Sequence, residues 1–295
     1  MAGRCEKAAG VVFPKRRLRT GACMENNSTS GARSADSGYL LDNGGRETPA
    51  RFAALSALFD PGTVRHLEAR GVGRGWQCLE VGAGSGSIAS WLADRVGPTG
   101  RVLATDIDPR FLESEKLPNL EVRCHDIAAD PLSEAAFDLA HARLVLLHVP
   151  EREKALARMI SALKPGGWLV DEEYDTYSMP PDPAVSPGEV LLKTHVAMLK
   201  LLEDRGVNRR YGRLLLGRLR AHGLVDLGAE ARMFMWQRGS HGASLLRATY
   251  EQLAGALIDG EYITPQQFED DVARLDDPDF MVPSAVLWTA WGRRP

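Results

Sequence analysis

The chain has 295 residues, 44% of them hydrophobic and 25% charged, with a formal net charge of -3. That balance supports a sizeable core and excludes a general electrostatic attraction to nucleic acid or anionic membranes. Apolar runs such as Leu144 to Val149 are too short to span a bilayer, and the four cysteines (Cys5, Cys23, Cys78, Cys124) show no metal-type spacing, which suits a reducing, cytoplasmic setting.

Residues 1–37 carry Arg4, Lys7, Lys15, Arg16, Arg17 and Arg19, then a Ser/Asn/Gly/Thr stretch without periodicity. This predicts a disordered tail, with Met24 as an alternative start. The apolar patch at Val11, Val12 and Phe13 is short and precedes the main basic cluster, the wrong order for a signal peptide. Order is expected from Tyr39, and residues 38–75 read as an N-terminal helical lid. Phe52, Leu55, Leu58 and Phe59 recur at helical spacing. A second short helix is expected from Pro61 to Ala69, with Asp60 or Thr63 as its cap and Gly71 ending it. Folded over the sheet edge, this lid would bring Tyr39 and Arg46 to a ligand; otherwise both are ordinary surface residues.

Residues 76–295 read as one domain that alternates strand and helix. The first strand, Trp76 to Val81, runs into Gly82, Gly84 and Gly86, and Ile88, Trp91, Leu92 and Val96 then mark a helix. The alternating glycines let a backbone come close to a ligand and permit positive φ. Their GxGxG spacing differs from the GxGxxG of dinucleotide sites. The second strand, Arg101 to Thr105, leads to Asp106, Ile107 and Asp108. Asp108 precedes a proline and reads as a helix cap, leaving Asp106 to accept ribose hydroxyls, with Ile107 against the adenine face. The third strand, Leu120 to Cys124, leads to Asp126 and Ile127, either a turn or a ligand contact. The fourth, Phe137 to Ala142, delivers Arg143 where cofactor and substrate should meet. Pro150 opens a helix to Leu163, and a Lys164-Pro165-Gly166-Gly167 turn leads to the fifth strand, Trp168 to Asp171.

Glu80 followed by GxGxG resembles motif I of the class I S-adenosylmethionine-dependent methyltransferases. Phe137-Asp138-Leu139 and the Leu163-Lys164-Pro165-Gly166-Gly167 turn are similar to signatures of the ubiquinone/menaquinone methyltransferase-like subgroup. The resemblance covers residues 39–171 best. It implies a Rossmann-like, doubly wound seven-stranded sheet with an antiparallel last strand, and S-adenosylmethionine as cofactor. It also implies cofactor contacts from Glu80 and the glycines, and an adenine contact from Asp126 with Ile127 covering the ring.

Beyond the fifth strand the expected elements are a helix from Glu189 to Asp204, a helix from Tyr211 to His222, a sixth strand from Val225 to Trp236 and a last strand from Phe280 to Trp291. Helical insertions at about 173–208 and 240–278 would close over the acceptor. If the acceptor must lose a proton, Glu173 is the preferred base, with Glu172, His141 and His148 as further candidates and Tyr39 as a contributor from the lid. The Asp171 to Asp175 acids read equally well as a solvated loop. The Asn/Asp-Pro-Pro-aromatic tetrad of nucleic-acid methyltransferases is missing, since Ala142-Arg143-Leu144-Val145 stands in its place. No metal is expected either, because Asp171-Glu172-Glu173 lacks a partner acid earlier. What remains is a small organic acceptor, of secondary metabolism and aromatic or indole-like in character, with neither nucleic acid nor membrane as partner and a homodimer left open. The other readings are a nicotinamide oxidoreductase and a non-catalytic cofactor-binding partner.

Overall fold

Apolar runs between glycine and proline stops become strands, and segments with one buried stripe become the helices that cover them. In chain order these are α1 (Thr48–Ala69), β1 (Gln77–Val81), α2 (Ser87–Val96), β2 (Arg101–Asp106), a short 3₁₀ turn (Pro109–Phe111), β3 (Leu120–Cys124), β4 (Phe137–Arg143), α3 (Arg152–Ala162) and β5 (Leu163–Asp175). Then come α4 (Lys193–Asp204), α5 (Tyr211–Ala221), β6 (Val225–Arg232), β7 (Met235–Gln237), α6 (His241–Asp259), α7 (Pro265–Arg274), β8 (Met281–Pro283) and β9 (Val286–Arg293). The computed structural model describes residues 40–41, 43–112, 117–178 and 192–295, all within the unit Gly38–Pro295. The predicted tail and Tyr39 lie outside the described residues. None of the described helices is long and apolar enough to cross a membrane.

The main sheet has seven strands in the order β3-β2-β1-β4-β5-β9-β6. β1 through β5 pair in parallel, while β9 runs antiparallel between β5 and β6. Leu79, Val81, Ala140, Ala142 and Leu169 belong to the core shared with α3 and α5. Cys78, Val102, Ala104, Leu139 and Val170 belong to the core shared with α2 and the end of α1. Helices on both faces explain why the central parallel strands are rich in apolar residues, while β3, at the edge, alternates apolar and charged positions. A third core gathers Phe59 of α1 with α4, α6 and the β7-β8 hairpin.

Four expected boundaries change. The two N-terminal helices are one, α1, with Pro61 inside it. Asp60 and Thr63 are not caps: Asp60 accepts from Arg143 Nη2 at 2.8 Å, and the Thr63 hydroxyl donates to Glu172. These ties hold the helix through the turn where proline removes a backbone donor. β5 runs on to Asp175, because β9 pairs with it as far as Asp175 opposite Val286; the acidic stretch is sheet, not loop. The sixth and last strands are each broken in two. The break falls where Ser284 N donates to Phe234 O at 2.7 Å and Phe234 N donates to Ser284 Oγ at 3.0 Å, so both segments leave the main sheet together.

α5 seats directly on the β5 backbone at Gly212, where a Cβ would meet the Glu173 carbonyl oxygen inside 3.0 Å. Gly212→Ala should therefore cost about 1–3 kcal/mol by overpacking. Urea denaturation checks this, and an unchanged midpoint would refute the close seat.

Candidate cofactor and methyl-transfer site

The glycine turn forms as its spacing predicts. Gly82, Gly84 and Gly86 have φ of 64°, 54° and 84°, a region where side chains are strained, and Gly86 starts α2. Ala83 N donates to Thr105 O at 3.0 Å and Gly84 N to Asp106 Oδ2 at 2.9 Å, tying the turn to the end of β2. The other Asp106 oxygen accepts from Asp108 N at 2.9 Å. Burial raises the Asp106 pKa, opposed by those two amides. Asp108 caps the 3₁₀ turn through Arg110 N. Ile107, between them, is 53% exposed, an open apolar surface at the carboxyl end of β2.

Other expected contacts are placed differently. Asp126 is exposed, but its Oδ1 closes a turn by accepting from Ala128 N at 2.8 Å. Ile127 is buried in the core, so the ring-covering surface expected of it is largely used up. Arg143 does not reach toward a cofactor: Nη1 donates to Thr63 Oγ1 at 2.9 Å and Nη2 to Asp60, pinning β4 to α1. Arg46 lies exposed in the turn before α1.

Glu80 is the largest departure. It is buried, and its Oε2 lies 2.7 Å from His141 Nδ1, its register partner on β4. His141 Nε2 faces Glu172 Oε2 at 3.5 Å. Glu172 in turn accepts from Thr63 on α1, from Thr289 on β9 at 2.6 Å and from Arg232 on β6 at 3.3 Å. A fully buried row of charge thus crosses the sheet under α1. Burial lowers the His141 pKa, but Glu80 and then Glu172 outweigh it and lift it to about 9. Burial raises Glu172, yet the His141 hydrogen bond and charge, with Arg143 and Thr289, bring it down to about 2. His141 is therefore an imidazolium counter-ion rather than a base.

Glu173, the preferred base, is also fully buried, and its Oε1 accepts the amides of Val145 at 3.1 Å and Leu146 at 2.6 Å. Burial first, then Asp171, pushes its pKa well up. It does not face outward toward an acceptor. His148 N donates to Val145 O at 3.0 Å, and burial with Arg51 and Arg152 takes its imidazole down to about 4.

Sequence reasoning missed two side chains that shape the cradle. Phe52 on α1 lies where a Cβ at Gly84 would sit 3.0 Å from its Cε1, and Val145 packs on Gly82 so closely that a Cβ there would collide with it. Ser56 on α1 also bonds Ser87 Oγ to Oγ at 3.1 Å. The helical spacing of Phe52 was visible, but its partner was not.

A doubly wound sheet of this order, with a left-handed glycine cradle between a strand-borne acid and an acid ending the next strand, defines a Rossmann-like domain. Residues 79–171 match the family model described as a methyltransferase domain, and over that span the chain is similar to S-adenosylmethionine-dependent methyltransferases. It is 33% identical over 147 residues to methyltransferase str2 of Strobilurus tenacellus, covering 49% of this chain and 51% of that one. It is 30% identical over 146 residues to the ubiquinone/menaquinone biosynthesis C-methyltransferase UbiE of Bordetella avium, covering 46% and 57%. The chain thus spans about half the length of the curated relatives it matches. A solved structure, BH2331 of Bacillus halodurans, described as a candidate methyltransferase, shares the fold with a TM-score of 0.51 at 18% identity, covering 78% of this chain and 98% of that one.

Proposed function

We propose that this protein transfers a methyl group from S-adenosylmethionine to a small organic acceptor. The observation that carries the reading is the cradle: three glycines with positive φ, one of them tied through its amide to the Asp106 carboxylate. Such a surface admits a ligand against bare backbone, and no amide nest for a pyrophosphate is needed there. Asp106 would hold the ribose and Ile107 the adenine face, with Asp126 beside it. The cofactor, when bound, supplies an electrophilic methyl on a sulfonium. What the chain supplies is position, since holding the nucleophile in line can provide much of the rate. α1 acts as the lid, through Phe52 and Ser56 over the glycine turn. His148, its imidazole held down to about 4, is too weak a base to take a proton the acceptor must lose.

An aromatic acceptor is a narrower proposal and rests on the acidic and aromatic run from Asp171 to Tyr177, since the Phe59, Tyr174 and Phe234 rings, at 6.0 and 6.3 Å, pack on one another as part of the third core. The relative named for ubiquinone/menaquinone biosynthesis supports a small metabolite in the same way, and a secondary-metabolite role follows as the narrower proposal. Isothermal titration should show S-adenosylhomocysteine binding at one site per chain with no saturable binding of NADH. Binding of NADH alone would turn the reading toward an oxidoreductase. Tight cofactor binding without turnover across a broad acceptor panel would turn it toward a non-catalytic partner.

A further inference from the structure

The segment after β4 makes a tight turn against the cofactor cradle. Leu144 takes a φ of 58°, in the left-handed region, and its amide donates to Glu172 O at 2.8 Å. The next two amides, Val145 and Leu146, converge on one oxygen of Glu173. Val145 is the residue whose methyl groups pack on the Gly82 backbone, closer than a Cβ at Gly82 would allow. The contacts therefore run from a buried carboxyl on β5, through two loop amides, to the floor of the glycine turn.

We infer that Glu173 is a positioning residue: its carboxyl fixes the Leu144 to Leu146 turn so that Val145 supports Gly82, and the cofactor cradle depends on it. This rests on the proposed methyltransferase reading and assigns the side chain a task other than proton abstraction. The second oxygen of Glu173 and both oxygens of Asp171, two residues earlier on the same face of β5, are buried with no hydrogen-bond partner among the described residues. Two adjacent buried carboxyls with three oxygens that accept no hydrogen bond among the described residues retain a proton between them. Glu173 then presents a carbonyl oxygen to the loop amides and a hydroxyl on its far side. Glutamine reproduces that pattern, with an amide oxygen for the amides and an N–H donor toward Asp171, whereas alanine leaves both loop amides buried and unsatisfied.

The test compares Glu173→Ala and Glu173→Gln in the full chain, with S-adenosylhomocysteine titration, steady-state kinetics and amide hydrogen exchange. Glu173→Ala should weaken S-adenosylhomocysteine binding about tenfold, raise KM for the cofactor more than it lowers kcat, and accelerate exchange at Val145 and Leu146. Glu173→Gln should rescue all three. Loss of kcat by about 100-fold or more in Glu173→Gln with affinity retained would make Glu173 a general base and overturn the inference. Wild-type affinity in Glu173→Ala would overturn it equally. If the alanine variant does not fold, the glutamine variant decides alone. Because amide protection at Val145 and Leu146 is read without ligand, failure of the wild-type chain to bind cofactor would count against the proposed function and leave this result readable.

Discussion

Gly84→Val is expected to abolish cofactor binding, with the S-adenosylhomocysteine dissociation constant rising about 100-fold or beyond the measurable range. Three effects act together at this position. With φ at 54°, a β-branched side chain meets a backbone that costs any L-residue about 1–2 kcal/mol and a branched one more. The new Cβ would stand 3.0 Å from Phe52 Cε1, tighter than nearly all real contacts, so α1 must shift off the turn. Relaxing the backbone instead would break the amide bond to Asp106, leaving a carboxylate that is already 8% exposed without one of its two partners. The fold should survive, because the cores on either face of the sheet do not include the turn. Isothermal titration measures the loss, and a thermal scan shows that the variant is folded. Retained affinity in a folded variant would refute the cradle as the cofactor site.

The second large effect is on stability. Glu172→Ala should cost about 3–5 kcal/mol, because it removes the partner of several buried groups at once. It strands the His141 imidazolium on one side, leaves Arg232 and the Thr289 and Thr63 hydroxyls without their acceptor, and loosens α1 from the sheet. Equilibrium unfolding in urea measures the change; a loss under about 1 kcal/mol would mean that the row is solvated in the native state. The pH dependence carries a matching signature. His141 has a folded pKa near 9 against an ordinary 6.5, so its stabilisation is complete below 6.5 and is lost as pH rises through 9. Glu172, at about 2 against an ordinary 4.5, contributes fully above 4.5 and is lost as pH falls through 2. Asp171, which burial pushes up to about 7, acts in the opposite sense to Glu172: it costs nothing below its ordinary value, and stability falls as pH rises from there through 7. Subtracting the profile of His141→Gln from that of the wild type should leave a decline across pH 6.5–9 and a second change at the acid end, because the His141 hydrogen bond and charge also hold Glu172 down.

The halves of this site were not equally legible in the sequence. β1, β2 and β4 were readable because central parallel strands covered on both faces are rich in apolar residues, β3 by the alternation of Leu120 and Val122 with charged residues at the sheet edge, and the glycines after β1 announce a turn by their lack of side chains. Asp106 and Asp108 could be told apart because only one precedes a proline. Glu80 was read correctly as strand-borne, but its partner was not, since nothing local says that residue 80 stands opposite residue 141; that depends on register between strands sixty residues apart. Asp171 to Asp175 misled for a similar reason. A run of acids resembles a solvated loop until an antiparallel neighbour extends the strand and supplies Thr289, and until α1 and α5 cover its two faces. Arg143 looked like a ligand contact at a strand end and proved to be the tie to Asp60, a residue on a helix expected to break there.

The antiparallel strand β9 has a consequence for how the molecule is made. It is not an edge strand: Val286–Arg293 lies between β5 and β6, and it brings Thr289 to Glu172. A nascent chain that has emerged only as far as Pro283 therefore holds a parallel half-sheet and a detached β6, with an unfilled slot between them and a buried acid lacking one of its donors. Closure of the domain waits for the last segment to arrive, more than a hundred residues after β5 was made. Such long-range insertion is slow relative to local helix formation, and the open slot is the stage at which this protein would depend most on protection from aggregation.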